Sequence, residues 1–324
     1  MATVPVQSSG GSPPPCGVGR GVGVAARENG AAAPDRTTPT PSPSPQGRGE
    51  RTEFAGGSRT TLDAAPAKVE LRDVGLRYFG REGETEALRG ISLAIAAREF
   101  VAIIGQSGCG KSTLLSLISG ILRPTGGAVL IDGKPVTGPS RKVGYMLQQD
   151  YLFEWRTILE NALLGAEIQG LDMAAARARA TTLLTRYGLG QFLNHRPRQL
   201  SGGMRQRVAL ARTLVTEPDI VLLDEPFSAL DSQTRLALAD EVAEILRRER
   251  KTAILVTHDI GEAIGMAERV VVLSRRPGQV KSDRPIRFAT QAGTRLSPLA
   301  ARSAPEFNGY FNTLWQELEV HVEG

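Results

Sequence analysis

A glycine-rich stretch between an apolar run and a helical pattern has the residue types of a phosphate-binding loop. It reads GQSGCGKST and matches the pattern G-x-x-x-x-G-K-S/T. Glycines let the backbone curl so that successive N–H groups point at phosphate oxygens, while a lysine adds positive charge and a serine hydroxyl can ligate Mg²⁺. We predict nucleotide binding here, and we expect Lys111 also to serve the chemical step. The predicted phosphate contacts are Gly105, Gln106, Ser107, Gly108, Cys109, Gly110, Lys111, Ser112 and Thr113.

Acidic residues and a histidine follow two further apolar runs, DIVLLDE and TAILVTH. At a strand end, Asp224 suits the Mg²⁺ shell beside Ser112, and Glu225 suits the polarisation of an attacking water. Without a phosphate loop, such an acid pair would more often be a solvated strand end. Parallel strands place their carboxyl ends at one sheet edge, so we expect His258 to lie near Ser112 and Asp224, within reach of a γ-phosphate.

A second stretch, LSGGMRQR, also has the composition of an anion-holding loop. Ser201, Gly202 and Gly203 precede two arginines, far along the chain from the phosphate loop. The sequence therefore contains two candidate phosphate cradles, and their number requires an explanation.

The intervening patterns indicate the elements that position these residues. KVELRDVGLRY and GISLAIAA alternate as strands do, and AVLIDGKPV predicts a hairpin that turns at Asp132-Gly133. The short continuous apolar runs, separated by helices, predict a parallel sheet covered on both faces. Between residues 157 and 200 the pattern is helical, with Asp172 as a cap. The buried face of that helix is predicted to contain Ala176, Ala180, Leu183, Leu184 and Tyr187.

Both ends of the chain differ from this middle part. Residues 1–66 are rich in Pro, Gly, Ser and Thr, so we expect a disordered leader, or else a stretch that translation does not include. Residues 275–302 are basic, and we expect them to extend over the surface. Residues 301–324 predict an amphipathic helix that docks on the domain, with binding to a partner as the alternative. Its apolar positions are Phe307, Tyr310, Phe311, Leu314 and Leu318.

Composition restricts the class of protein. The chain has 324 residues and a net charge of +5, and its basic residues are spread along the sequence, so we expect no nucleic-acid partner. Two cysteines, Cys16 and Cys109, form no disulfide framework or metal-ligand spacing, which fits a reducing compartment. For Cys109 we favour a small residue in a tight loop over a redox role. We expect no membrane span and no secretory signal in this sequence.

Residues 69 to about 275 resemble an ATP-binding cassette, the ATPase subunit of ABC transporters. The resemblance is based on GQSGCGKST, LSGGMRQR, LLDEP, SALD and LVTHD in this order. It implies an α/β P-loop NTPase with a parallel-sheet core, an N-terminal antiparallel β-subdomain and a helical insert at about 149–203, the cassette spanning 67–300. It also implies ATP and Mg²⁺ as cofactors. In this family Ser201, Gly202 and Gly203 of one cassette close over the γ-phosphate that the other cassette holds, which would explain the two cradles.

Further roles follow from the resemblance alone. Tyr78 corresponds to the aromatic residue that stacks on adenine, with Phe79 as the alternative. Gln148 falls at the glutamine that reaches Mg²⁺ and the attacking water, with Gln149 as the alternative register. Asp231 lies in the loop that communicates across the dimer, and His258 is the switch histidine.

Three positions depart from common family patterns. Arg98 occupies a turn position that is commonly glycine, and Met204 follows the glycine pair, as in many importer cassettes. Glu154 replaces a frequent proline in the segment that faces the membrane subunit, and we expect this to alter that docking surface.

The segments LFEWRTILENALLG and VVVLSRRPGQV are similar to those of bacterial importers for nitrate, sulfonates and taurine. The resemblance implies a peripheral protein at the cytoplasmic face of the inner membrane, with integral-membrane permease subunits, a second cassette and a substrate-binding protein as partners. Exporter cassettes, soluble ABC ATPases acting on ribosomes or DNA, and proteins that hold ATP without turnover are the alternatives. Glu225 and His258 argue against the last of these.

Overall fold

The computed structural model describes residues 67–80, 83–228, 230–289 and 295–319. The leader proposed for 1–66 lies outside these residues. The strands are β1 (Ala67–Gly80), β2 (Gly83–Ala96), β3 (Phe100–Ile104), β4 (Gly126–Ile131), β5 (Lys134–Pro135), β6 (Val143–Met146), β7 (Ile220–Asp224), β8 (Thr252–Thr257), β9 (Arg269–Leu273) and β10 (Val280–Pro285). The helices are α1 (Lys111–Ile118), α2 (Ile158–Gln169), α3 (Met173–Arg186), α4 (Gly202–Val215), α5 (Ser232–Arg248), α6 (Ile260–Met266), α7 (Pro298–Ala301) and α8 (Pro305–Glu319).

A four-stranded antiparallel sheet, in the order β2-β1-β4-β5, forms the N-terminal part of the fold. The predicted hairpin joins β4 to β5, and Asp132 and Gly133 both have positive φ, at 51° and 72°. Two positive φ angles give the turn the twist that antiparallel neighbours need. The antiparallel β-subdomain expected from the sequence is confirmed.

The central sheet has six strands in the order β10-β9-β3-β8-β7-β6. The five strands from β9 to β6 run parallel to one another. Every residue of β3, β7 and β8 is buried, as the continuous apolar runs predicted. Arg98, at the turn before β3, has a left-handed φ of 68°, the conformation that makes glycine common at such a position. The parallel-sheet core is confirmed.

The helical insert contains α2 and α3, followed by α4. Thr157 caps α2 in a reciprocal arrangement with Glu160, whose carboxylate accepts the Thr157 N–H at 2.7 Å. Asp172 caps α3, and all five apolar residues predicted for its buried face are buried. A helical insert is therefore present, while its exact boundaries stay a prediction.

The C-terminal tail differs from the expected surface extension. Residues 280–285 form β10, an antiparallel edge strand on β9, and Ile286 behind it is buried. The sequence VKSDRP has no apolar pattern that would predict a strand, because this edge strand exposes most of its side chains. The predicted amphipathic helix is α8, which docks through the buried side chains of Phe307 and Leu314. No helix in the described part of the chain is long and apolar enough to cross a membrane.

Candidate active site

The predicted phosphate loop joins the end of β3 to the start of α1. Gly110 has a φ of 104°, and a Cβ there would lie 2.6 Å from Leu88 of the antiparallel sheet, so only glycine fits. The Lys111 ammonium is buried and donates to the carbonyls of Gly105 (2.9 Å) and Gln106 (3.1 Å). This places a positive charge at the centre of a loop of backbone N–H groups, the arrangement that binds phosphate.

Asp224, at the end of β7, lies beside the start of α1. Its carboxylate accepts from Ser112 Oγ at 2.9 Å and from the Tyr145 hydroxyl at 3.1 Å. Burial raises the pKa of Asp224 above its usual value, while the hydrogen bonds from Ser112 and Tyr145 oppose that shift. Among the described residues, no group of three His, Cys, Asp or Glu side chains could hold a metal ion. Oxygen donors at one carboxylate and one hydroxyl nevertheless fit Mg²⁺, which usually completes its shell with substrate phosphates and water.

Three of the predicted catalytic residues meet at one carboxylate oxygen. Oε2 of Glu225 lies 3.2 Å from His258 Nδ1 and accepts from Gln148 Nε2 at 3.3 Å. Glu225 has a left-handed φ of 45°, and its backbone N–H donates to Val256 O at 2.8 Å. Strained backbone of this kind persists where surrounding structure holds it, often at active sites. The contact with Glu225 favours Gln148 over Gln149 for the predicted role.

The second cradle forms the start of α4. Ser201 caps that helix by accepting the Met204 N–H at 3.3 Å, and Gly203 packs beside Leu230 and Thr234. Asp231 caps α5 through the N–H groups of Gln233 and Thr234. These hydrogen bonds, first among them that of Thr234, lower the pKa of Asp231. Among the described residues, no hydrogen bond joins the loop at 201–203 to the phosphate loop.

Comparison with known proteins assigns the chain to a family. The "ABC transporter" family model matches residues 88–228. The uncharacterised ABC transporter ATP-binding protein YtlC of Bacillus subtilis is 46% identical over 241 residues, covering 74% of this chain and 92% of YtlC. The chain belongs to the ABC transporter ATP-binding proteins. It is thus an ATPase that binds ATP, and the resemblance seen in its motifs is confirmed.

Two other ABC proteins extend the comparison. The taurine import ATP-binding protein TauB of Burkholderia thailandensis is 38% identical over 257 residues, covering 79% of this chain and 99% of TauB. The cassette MJ0796, solved as a dimer in a post-hydrolysis state with ADP and Pi, is 35% identical with a TM-score of 0.61. That match covers 68% of this chain and all of MJ0796.

The predicted adenine contact lies on β1 of the ABC cassette. The Tyr78 hydroxyl is 3.3 Å from Thr113 Oγ1, which places this exposed ring beside the phosphate loop. Phe79 is 76% exposed and lines a different groove, with Arg77 and Thr125. The geometry therefore favours Tyr78 over Phe79.

Cys109 is buried within the cassette's phosphate loop. Burial raises the pKa of its thiol, which disfavours the reactive thiolate. A Cβ on Gly105 would lie 2.7 Å from the Cys109 sulfur, so there is little room in the loop. This supports the interpretation of Cys109 as a small packing residue.

Two residues of the cassette site were not predicted from the sequence. Tyr145 reaches Asp224 from the neighbouring strand β6, and Glu262 accepts from Thr257 Oγ1 at 2.6 Å directly behind the His258 segment. Burial raises the pKa of Glu262 to about 7, with a further rise from Asp259. The alternation of VGYM beside an acid-ending strand was the available signal for Tyr145, whereas Glu262 reads as an ordinary helix residue.

Proposed function

We propose that this chain is the ATP-hydrolysing subunit of a bacterial ABC importer that takes up a small solute of the nitrate, sulfonate or taurine class. The observation that most supports hydrolysis is the convergence of Gln148 and His258 on Glu225, beside the Ser112–Asp224 pair. Import and the solute class are supported by the 38% identity to TauB. A base held in this way suits hydrolysis better than passive retention of ATP.

The ground-state contacts are those of the phosphate loop. Lys111 and the loop N–H groups hold the β- and γ-phosphates, and Tyr78 stacks on the adenine. Ser112, Asp224 and Gln148 would hold Mg²⁺, which offsets negative charge on the phosphate oxygens. The buried position of Lys111 strengthens its attraction for phosphate because the surrounding dielectric is low.

In the chemical step, Glu225 accepts a proton from a water molecule while the water oxygen bonds to the γ-phosphorus. The bond between the γ-phosphorus and the bridging oxygen breaks, and ADP and phosphate leave. His258 and Gln148 orient Glu225 and the water, and His258 also contacts the γ-phosphate. Catalysis is mostly positioning and charge stabilisation.

A second copy of the chain completes each site. Ser201 and Gly203 of that copy close over the γ-phosphate, while Asp231 communicates across the interface. Similarity to MJ0796, which was solved as a dimer, supports this arrangement. Closure of the dimer moves the permease subunits, because the helical insert that contacts them moves together with the signature loop at 201–203.

The surface proposed to face the permease lies before α2. Phe153 and Trp155 stack with ring centroids 4.8 Å apart, and the Trp155 side chain is 70% exposed. Glu154, between them, forms an exposed ion pair with Arg198 at 3.2 Å, so both charges lie on this surface of the insert. An exposed tryptophan backed by a half-buried aromatic ring is typical of a protein contact. The subunit would then be peripheral, on the cytoplasmic face of the inner membrane, and a substrate-binding protein would deliver solute to the permease.

Copurification from native membranes tests the proposal. The tagged protein would be purified with its partners, identified by mass spectrometry, and assayed for ATPase with and without nitrate, taurine and alkanesulfonates. We expect a multi-span permease, and ATPase activity stimulated by a loaded binding protein. Recovery with ribosomes or DNA would indicate a non-transport ATPase. Stimulation by a permease substrate without any binding protein would indicate an exporter.

A further inference from the structure

A groove of about 700 Å³ lies between α8 and the outer side of the phosphate loop. Phe311, Trp315 and Leu318 form the wall on the α8 side, and Gln106 and Ser107 belong to the opposite wall. The size falls in the range of pockets that hold small organic molecules. None of the roles proposed above for ATP uses the α8 wall.

The α8 wall is a ladder of aromatic rings. Phe307, Phe311 and Trp315 follow each other at four-residue spacing, with ring centroids 6.2 and 6.1 Å apart. Phe307 is buried at the base of the ladder, whereas Trp315 is 47% exposed at the groove. Burial of the exposed Trp315 face and the half-buried Phe311 ring favours a ligand with an apolar body.

The polar groups of the groove are mainly cationic. Arg275 donates from Nε to the uncharged Oε1 of Gln106 at 2.7 Å, which leaves its charge uncompensated by that contact. The Arg302 guanidinium lies close to Gly261: a Cβ built on that glycine would be 2.9 Å from Nη2 of Arg302. Asp259 is the acid of the described lining, and its carboxylate already caps α6 and faces Arg235 at 3.5 Å. The positive charge of the two arginines therefore exceeds the negative charge of Asp259, which favours binding of an anion in the groove.

We propose that this groove binds an organic sulfonate or carboxylate with an apolar body. The headgroup lies against Arg302 and Arg275, because planar guanidinium groups match such oxyanions in charge and geometry. The hydrocarbon part packs on Phe311 and Trp315. The wall on the α8 side takes no part in the proposed ATP contacts. The facing wall does belong to them, since it is lined by Gly105, Gln106, Ser107 and His258.

The shared wall couples this site to ATP. Gln106 bridges the two sides, since its amide also donates to Leu318 O at 3.0 Å. The last turn of α8 is fixed in turn by Glu317, which accepts from Arg284 Nε at 2.7 Å and from Ser282. A headgroup that draws Arg275 away from Gln106 releases one end of this bridge. The ligand is thus expected to weaken the use of ATP.

Binding can be measured without nucleotide, independently of the proposed transport function. In a Trp155→Phe background, Trp315 is the remaining tryptophan, so its fluorescence reports the groove. The full chain would be titrated with octane-1-sulfonate, octan-1-ol and octyltrimethylammonium, all below micelle-forming concentrations. We expect saturable binding of the sulfonate, and binding at least about tenfold weaker for the cation and the alcohol.

Two variants and one kinetic readout complete the test. Arg302→Gln is expected to weaken sulfonate binding about tenfold, whereas Arg248→Gln, which changes an exposed arginine outside the groove, should not alter it. The sulfonate should raise the KM for ATP about fivefold, and less in Gln106→Ala. Equal binding of the cation, or unchanged binding in Arg302→Gln, would overturn the proposal. Because coupling is reciprocal, Glu225→Gln held closed on ATP should bind the sulfonate about fivefold more weakly. Complete loss of sulfonate binding in that closed state would assign the groove to the second cassette and also overturn the proposal.

Discussion

At the scale of single residues, the site depends on how the surroundings of each acid set its role. Glu225 has its carboxylate at the meeting point of Gln148 and His258, whereas Asp224, one residue earlier, faces Ser112 and Tyr145. Successive strand residues point to opposite sides, and the left-handed backbone at Glu225 redirects the second carboxylate. Two adjacent acids thus have different proposed roles: Asp224 holds the metal ion and Glu225 accepts a proton from the attacking water.

Glu225→Gln tests the assigned base. The amide keeps the shape of the side chain but cannot accept a proton, so we expect turnover to fall at least about 100-fold. Binding of ATP should persist because Lys111 and Ser112 are unchanged, and the closed dimer should accumulate. Phosphate release measures the first effect, and light scattering with and without ATP measures the second.

Glu244→Gln on the exposed face of α5 is the matched control, and it should retain normal turnover. Normal turnover in Glu225→Gln itself would rule out Glu225 as the base.

Glu262 predicts a pH dependence of stability. Its pKa is raised by burial to about 7 in the folded state, above an unfolded value near 4.5. The folded state therefore holds more protons between these values, so this contribution to the free energy of unfolding is complete below pH 4.5 and is lost as pH rises through 7. The loss is on the order of 3 kcal/mol. Glu262→Gln should be more stable than the unmodified chain at pH 8, with little difference at pH 4.5.

Urea unfolding at both pH values measures this difference, with Glu244→Gln as an exposed control that should show no such dependence. A stability difference between Glu262→Gln and the unmodified chain that is the same at both pH values would contradict the raised pKa.

The sequence could predict the residues of the site more readily than their supporting contacts. Glu225 and His258 follow apolar runs whose parallel pairing forces their ends together, whereas Gln148 was predicted from the family resemblance. Tyr145 and Glu262 have no motif. Tyr145 belongs to the site through Asp224, which is distant in sequence, and Glu262 belongs to it through its burial behind the His258 segment. Such partners become visible only once the packing is known.

At the scale of elements, hydrophobic pattern predicted the buried strands and failed at the sheet edge. β3, β7 and β8 are buried throughout, so their sequences are almost entirely apolar. β10 is recognised only by its pairing with β9, since its own side chains are mostly exposed. The hydrogen bond between Gln106 and Leu318 joins residues 212 positions apart, so a local sequence pattern could not predict it either.

The docking of α8 makes a prediction at this scale. Leu314 is fully buried against the core, so Leu314→Ala should lower the free energy of unfolding by about 2–5 kcal/mol. Leu299→Ala on α7 is the control, because Leu299 is mostly exposed and its loss should cost under about 0.5 kcal/mol. Denaturant unfolding measures both variants. Equal stability of the two would mean that α8 does not dock, and would favour a helix that awaits a partner.

At the scale of the whole molecule, the two cradles lie on different elements. The phosphate loop ends β3 in the sheet core, and the loop at 201–203 begins α4 beside the helical insert. The segment at 230–234 packs against Gly203, so the signature loop and Asp231 form one surface. An isologous dimer uses each surface twice, and two ATP sites then follow from one interface.

Paired inactive variants test this arrangement directly. Lys111→Ala removes the phosphate-loop charge and Ser201→Ala the signature hydroxyl, so either variant alone should be inactive. In a mixed dimer of the two, isolated with two different tags, both defects fall in one site and the other site is intact. A dimer of the double variant with the unmodified chain has one defect in each site. We therefore expect ATPase in the first mixed dimer, up to about half that of the unmodified dimer, and little in the second. The reverse ranking would mean that each chain builds its ATP site from its own two loops, and the proposed dimer would be wrong.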